Sequence, residues 1–110
     1  MEDCIFCKIV SRDIDTPLIY EDDKVVAFND VNPQAPVHIL IIPKIHIASV
    51  KETEDKNLLG HMLSAGNQIA EKNGMEDFRY IINTGEKAGQ TVFHLHLHLL
   101  GGRKMNWPPG

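Results

Sequence analysis

The chain has 110 residues, 43% of them hydrophobic and 24% charged, with a formal net charge of −4. That length fits one globular domain spanning residues 1–110, and the acidic balance argues against polymeric DNA or RNA, which calls for a basic stripe, while leaving room for a single nucleotide held by local donors. With no signal-peptide core and no run long enough to span a bilayer, the expectation is a protein without membrane association, cytoplasmic (and nuclear as well in a eukaryote), whose two cysteines form no structural disulfide.

Cys4-Ile5-Phe6-Cys7 and the mixed stretch to Asp15 predict a knuckle with one helical turn. Residues 18–21 and 24–29 read as two short strands across an Asp22-Asp23 turn. Residues 31–36, with Pro33 and Pro36, are a loop, and residues 37–43 (VHILIIP) are a central strand stopped by Pro43. Over residues 53–73 the period becomes helical: Leu58, Leu59, Met62, Leu63, Ile69 and Ala70 share a stripe with Gly66 at a close approach, Thr53 caps the start and Asn73-Gly74 supplies the stop. Residues 78–83 predict another strand, and residues 84–90 a Gly-containing loop.

Residues 91–102 read TVFHLHLHLLGG. Alternation of this kind predicts a strand with Phe93, Leu95, Leu97 and Leu99 on a core face and His94, His96 and His98 on the other, successive histidines roughly 7 Å apart. Gly101-Gly102 ends it, and the irregular tail carries the only tryptophan, Trp107. Five strands and one main helix in this order predict an α+β fold, a mostly antiparallel five-stranded sheet with the helix on one face. The face bearing the histidines is left for a site or a partner.

Three readings compete for the histidine ladder. A solvated polar face is the plainest, but such faces favour Thr, Lys and Glu. Metal ligation and catalysis as nucleophile or general base remain, and they are compatible if different histidines take different roles. Cys4-x-x-Cys7 is half of a common zinc site. A redox pair would follow a strand, which this one does not, and two unliganded thiols are the plain alternative. Zinc would need two further ligands, for which His94 and either His38 or His46 are the candidates. His38 also reads as a satisfied polar residue at a strand start, and His61 as a structural or exposed residue in mid-helix.

His94-x-His96-x-His98 resembles the signature of the histidine triad (HIT) family. The resemblance extends to Ile5-Phe6-Cys7-Lys8-Ile9, Tyr20-Glu21-Asp22-Asp23, Ala27-Phe28, residues 32–36, Ile42-Pro43-Lys44 with His46, Gly89-Gln90-Thr91, Gly101-Gly102-Arg103 and Trp107-Pro108-Pro109-Gly110. The Trp-Pro-Pro-Gly tail points to the Hint branch of purine nucleoside phosphoramidases rather than the Fhit branch of dinucleoside polyphosphate hydrolases, which lacks it. The resemblance implies a hydrolase cleaving the P–N bond of purine nucleoside 5′-phosphoramidates through a nucleotidyl-histidine intermediate. His96 would be the nucleophile, His98 the phosphate binder and Thr91 a hydroxyl donor to the phosphate or leaving group, at a position where relatives often carry Ser. Phe6, Ile9, Phe28 and Val31 would sandwich the purine, Asp30 would accept from the ribose hydroxyls, Asn83 would hold ribose and phosphate, and Gly89 and Gln90 would stand at the phosphate. A structural zinc would be held by Cys4, Cys7, His46 and His94, with no organic cofactor. Relatives of this branch are homodimers whose sheet runs on from one copy to the next, and Trp107 would reach the partner's substrate. The alternatives are a dinucleoside polyphosphate hydrolase, a nucleotide-binding scaffold with incidental catalysis, and a zinc-binding interaction module.

Overall fold

A computed structural model describes residues 3–110; Met1 and Glu2, at the start of the expected domain, lie outside the described residues. In chain order the elements are α1 (Ile5–Val10), β1 (Tyr20–Glu21), β2 (Val25–Asn29), β3 (Val37–Pro43), α2 (Lys56–Lys72), β4 (Phe78–Ile81) and β5 (Leu97–Gly101), with single 3-10 turns at Val50–Glu52 and Glu86–Ala88. The strands form one five-stranded sheet in the order β1-β2-β3-β5-β4. Every neighbouring pair is antiparallel.

Pleating sorts the central strands into two apolar layers. Val25, Ala27, Ile39, Ile41, Leu97 and Leu99 pack under α2 against Leu58, Met62, Ala65, Ile69 and Ala70. Val26, Phe28, Leu40 and Ile42 point to the opposite face and meet Phe6 and Ile9 of α1. A strand apolar on both faces reads as a continuous hydrophobic run, as residues 37–43 do. The second face is therefore not left bare: α1 covers part of it, which the expectation of one main helix did not foresee.

The α2 stripe follows the helical period except at its flanks, where Leu59 is only half-buried and Leu63 is exposed. Its cap is Asp55, whose carboxylate accepts from the Leu58 N–H at 3.0 Å. Thr53, expected as the cap, instead accepts from the Asp55 N–H at 3.1 Å and shapes the turn before the helix. At the far end Asn73 caps, and Gly74 takes the left-handed conformation, φ 67°.

The histidine strand is shorter than expected. β5 begins at Leu97 because the chain bends at residues 92–94. Before it, the Leu95 N–H donates to the Ile47 carbonyl at 2.6 Å. Inward and outward alternation survives from Leu95 onwards, but the bend turns Phe93 out of the core, and it is 49% exposed. Among the described residues no helix is long and apolar enough to cross a membrane.

Candidate functional site

Four ligand-type atoms meet where α1 abuts the segment leading into β5. Cys4 Sγ and Cys7 Sγ lie 3.3 and 3.5 Å from His94 Nδ1, and Cys7 Sγ lies 3.3 Å from His46 Nδ1. All four atoms fall within 4.8 Å of one another. Thiolates and imidazoles around a tetrahedral zinc have ligand-to-ligand edges of about 3.3–3.8 Å, so the donor set and its spacing fit that ion. The His94 Nε2 lies 2.8 Å from the Pro43 carbonyl, which can only accept, so Nε2 carries the proton and the Nδ1 lone pair faces the cluster. His46, not His38, stands beside the cysteines.

His96 is fixed by the same logic. Its Nδ1 lies 2.7 Å from the His94 carbonyl and must donate, which leaves the lone pair on Nε2. Burial lowers its pKa, against the opposing influences of the carbonyl bond and of Asp30, so the ring stays neutral below the ordinary imidazole range. Phe6 packs against it in a T-shaped contact, ring centres 5.2 Å apart.

His98 belongs to a second hydrogen-bonded set. The Gln34 backbone N–H donates to His38 Nδ1 at 3.0 Å, so His38 carries its proton on Nε2. That Nε2 faces His98 Nδ1 at 2.9 Å and the Asp30 carboxylate at 3.4 Å. His98 Nδ1 therefore accepts, and its own proton sits on Nε2, a buried donor without a partner among the described residues. Burial, then the neighbouring His96 and His38, push the His98 pKa down to about 4, so near neutral pH it is a neutral donor. Burial also lowers His38, with Asp30 opposing. Asp30, His38 and His98 cluster tightly enough to resemble a metal site. At 2.9 Å, however, the two ring nitrogens are at hydrogen-bond distance, closer than the edge of about 3.3 Å that two metal ligands keep.

The other residues singled out in the sequence divide between this site and its surroundings. Phe6, Ile9 and Phe28 are buried together on the face that carries the histidines, with Phe6 and Phe28 5.5 Å apart. Asp30 follows β2 and also accepts from the Asn32 N–H at 2.8 Å, whereas Val31 beside it is wholly exposed. Asn83 lies just beyond β4, its side-chain amide 3.5 Å from where a Cβ on Gly89 would stand, and Gly89 has φ 103°. Gln90 is buried and committed to its own loop, accepting from the Gly85 N–H and donating to the Ala48 and Val92 carbonyls. Thr91 is exposed and, with Cys4, Ile5, His46, Val92 and Phe93, lines a cavity of about 560 Å³. Trp107 is 81% exposed, with the Arg79 guanidinium 5.9 Å from its ring. A roomier cavity of about 790 Å³ lies past the other end of β5, between Val37, Phe78 and Gly102, and contains no histidine; chemistry, not size, locates the site. The residue that sequence reasoning underrated is His38. The available signal was a lone histidine inside an apolar central strand, but pairing it with His98 needs the β3–β5 register, which places Leu40 opposite His98.

The profile described as the HIT domain matches residues 11–105. A 14 kDa zinc-binding protein of Zea mays is 48% identical over 111 residues, covering 96% of this chain and 87% of that protein. The adenylylsulfatase HINT1 of Arabidopsis thaliana is 46% identical over 111 residues, covering 96% of this chain and 76% of that protein. The crystal structure of a HIT family hydrolase from Legionella pneumophila is 44% identical and superposes with a TM-score of 0.95, covering 98% of this chain and 100% of that one.

Proposed function

This chain belongs to the HIT domain family, and from that membership we propose that it is a nucleotide-binding hydrolase that cleaves the P–N bond of purine nucleoside 5′-phosphoramidates, such as AMP-lysine or adenosine phosphoramidate, to the nucleoside monophosphate. The observation that carries the reading is the pairing of opposite roles on adjacent rings: an unprotonated Nε2 on His96 and a buried, unpartnered Nε2–H on His98, ring centres 4.9 Å apart. The first is a nucleophile and the second a donor to a phosphoryl oxygen.

In the proposed sequence, His96 Nε2 attacks the α-phosphorus and forms an N–P bond as the substrate's P–N bond breaks. The amine leaves with its electron pair and takes up a proton. Water then attacks the nucleotidyl-histidine, releasing the monophosphate and restoring the ring. His98 holds a phosphoryl oxygen, Asp30 takes the ribose hydroxyls, and Phe6, Ile9, Phe28 and Val31 flank the base. Asn83, Gly89 and Thr91 complete the phosphate side, and Gln90 takes part by holding the loop that carries them. Zinc held by Cys4, Cys7, His46 and His94 would be structural, since a closed set of four ligands leaves no open coordination position. The maize relative's name supports that ion. The active form proposed is a cytoplasmic homodimer: β4 is an unpaired sheet edge, and Arg79 on that edge holds the tail through the Asn106 carbonyl at 3.0 Å with Trp107 displayed beside it, ready to contact a partner's substrate.

The Arabidopsis relative's name favours a second leaving group, sulfate, on the same adenylyl transfer. The test is AMP release from adenosine 5′-phosphoramidate, adenosine 5′-phosphosulfate and a diadenosine polyphosphate, with quenched reactions weighed by mass spectrometry. The phosphoramidate is expected to be the best substrate, with a transient adduct of one AMP. His96→Ala should lower the rate by at least about a thousandfold and abolish the adduct. Folded, zinc-loaded protein that releases no AMP from any of the three would end the catalytic reading.

A further inference from the structure

We propose that the metal cluster and the nucleotide site are thermodynamically coupled through α1, so that each ligand tightens the binding of the other. The inference rests on the reading of His96 and His98 as the nucleotide's seat and goes beyond a purely structural metal.

The connection is written into four consecutive residues. Cys4 and Cys7 direct their sulfurs to His94 and His46. Phe6, between them in sequence, meets the rings of His96 at 5.2 Å, His94 at 5.9 Å and Phe28 at 5.5 Å, each roughly perpendicular to its own. Clamping both cysteines thus clamps the aromatic wall beside His96.

Among the described residues, few other contacts order this element. α1 has only six residues, well below the roughly 12–15 at which a helix persists unaided. Its N-cap is Cys4 Sγ, accepting from the Cys7 N–H at 3.3 Å, a weak acceptor that is itself a ligand candidate. Its fully buried anchors are Phe6 and Ile9, with Val10 half-buried against the same cluster. The next tie along the chain, Arg12 to Glu21, is exposed and contributes little.

A second strut runs through His94. The residue whose Nδ1 faces the sulfurs offers its own carbonyl to His96 Nδ1 at 2.7 Å. Whatever holds the His94 ring also fixes the direction of the His96 lone pair. A ligand that orders α1 and His94 spares the second ligand that ordering cost, and the gain is reciprocal by thermodynamic necessity.

The test uses AMP and zinc on the full chain, stripped with a chelator or reloaded. AMP affinity is measured calorimetrically on both forms. Zinc affinity is measured by competition with a chromophoric chelator, with and without AMP, against a blank of AMP and chelator alone. Loaded protein should bind AMP at least about fivefold tighter than stripped protein, and AMP should raise zinc affinity by the same factor. A Cys4→Ser/Cys7→Ser variant in zinc buffer should bind AMP like the stripped protein, and Phe6→Ala should bring the coupling close to one. Amide exchange should quicken in α1 on metal removal while β3 stays protected. Equal AMP affinity in the two forms would overturn the coupling and leave the proposed activity standing. Loss of protection in β3 would overturn it too, since the metal would then hold the whole fold. AMP binding to neither form would remove the nucleotide reading itself.

Discussion

A backbone N–H can only donate and a backbone carbonyl can only accept, and in this site two such groups settle the protons of three imidazoles. The Gln34 N–H puts the His38 proton on Nε2, which puts the His98 proton on Nε2; the His94 carbonyl puts the His96 proton on Nδ1. Neither chain of inference needs a charged ring, in keeping with the burial that lowers all three pKa values. In the proposed reaction His38 is thus a positioning residue acting through His98. His38→Phe keeps a buried ring but leaves His98 Nδ1 without its donor, so the His98 proton is free to move to the wrong nitrogen. The expected result is a fall in kcat of about 10–100-fold, the usual penalty for losing an orienting partner. KM should change less, and nitrogen NMR should show mixed tautomers at His98. A His98 spectrum identical to wild type would sink the relay even if activity fell.

At the scale of elements, α2 holds two glycines whose removal should act in opposite directions. A Cβ at Gly60 meets nothing within 4 Å, whereas a Cβ at Gly66 would lie 2.6 Å from the Tyr80 hydroxyl. Gly60→Ala should therefore stabilise by about 0.5–1 kcal/mol, the helix-propensity gain. Gly66→Ala should lose that gain and more, with a net cost of about 1–3 kcal/mol as Tyr80 is forced off the helix and its bond to Asn67 is stretched. Urea unfolding of both variants checks the signs, and equal shifts would show that Tyr80 yields freely. The Gly66 approach was legible beforehand because a glycine on an apolar helical stripe signals a close neighbour. So was β3, whose predicted bounds, residues 37–43, match the structure, since a β-branched run ending in proline has few alternatives. The start of β5 was not legible. Alternation continues through His94 and His96 although ladder pairing does not, because period two reports which way side chains point and not whether a neighbour strand is present. α1 was only half legible as a single turn, since a six-residue helix has too few positions to show a period.

The whole molecule carries its site at a cost that depends on pH. Keeping His98 neutral in the fold means that the unfolded chain, where an imidazole titrates near 6.5, binds protons the folded chain refuses. The penalty is absent above pH 6.5, grows as the pH falls and is complete once the pH passes the folded value of about 4, where it amounts to about 3 kcal/mol. His38 pulls in the same direction. Asp22 enters later. Burial resists its ionisation, but the Lys24 and Val25 N–H groups, the Tyr20 hydroxyl and His61 outweigh it and hold the carboxyl well below the usual range. Its contribution is therefore full above the ordinary carboxylate value of about 3.9 and fades only below it. Acid should act in two stages, the histidines first and the Asp22 hub afterwards. Urea unfolding of chelator-treated wild type and His98→Asn from pH 7 to pH 4 isolates the first stage, because every other titrating group is common to both proteins. Wild type should lose about 3 kcal/mol more than the variant over that range. Parallel curves would mean that His98 accepts its proton freely in the folded protein, and a histidine that does so would meet the phosphate of the proposed substrate as a cation rather than as the neutral donor its surroundings enforce.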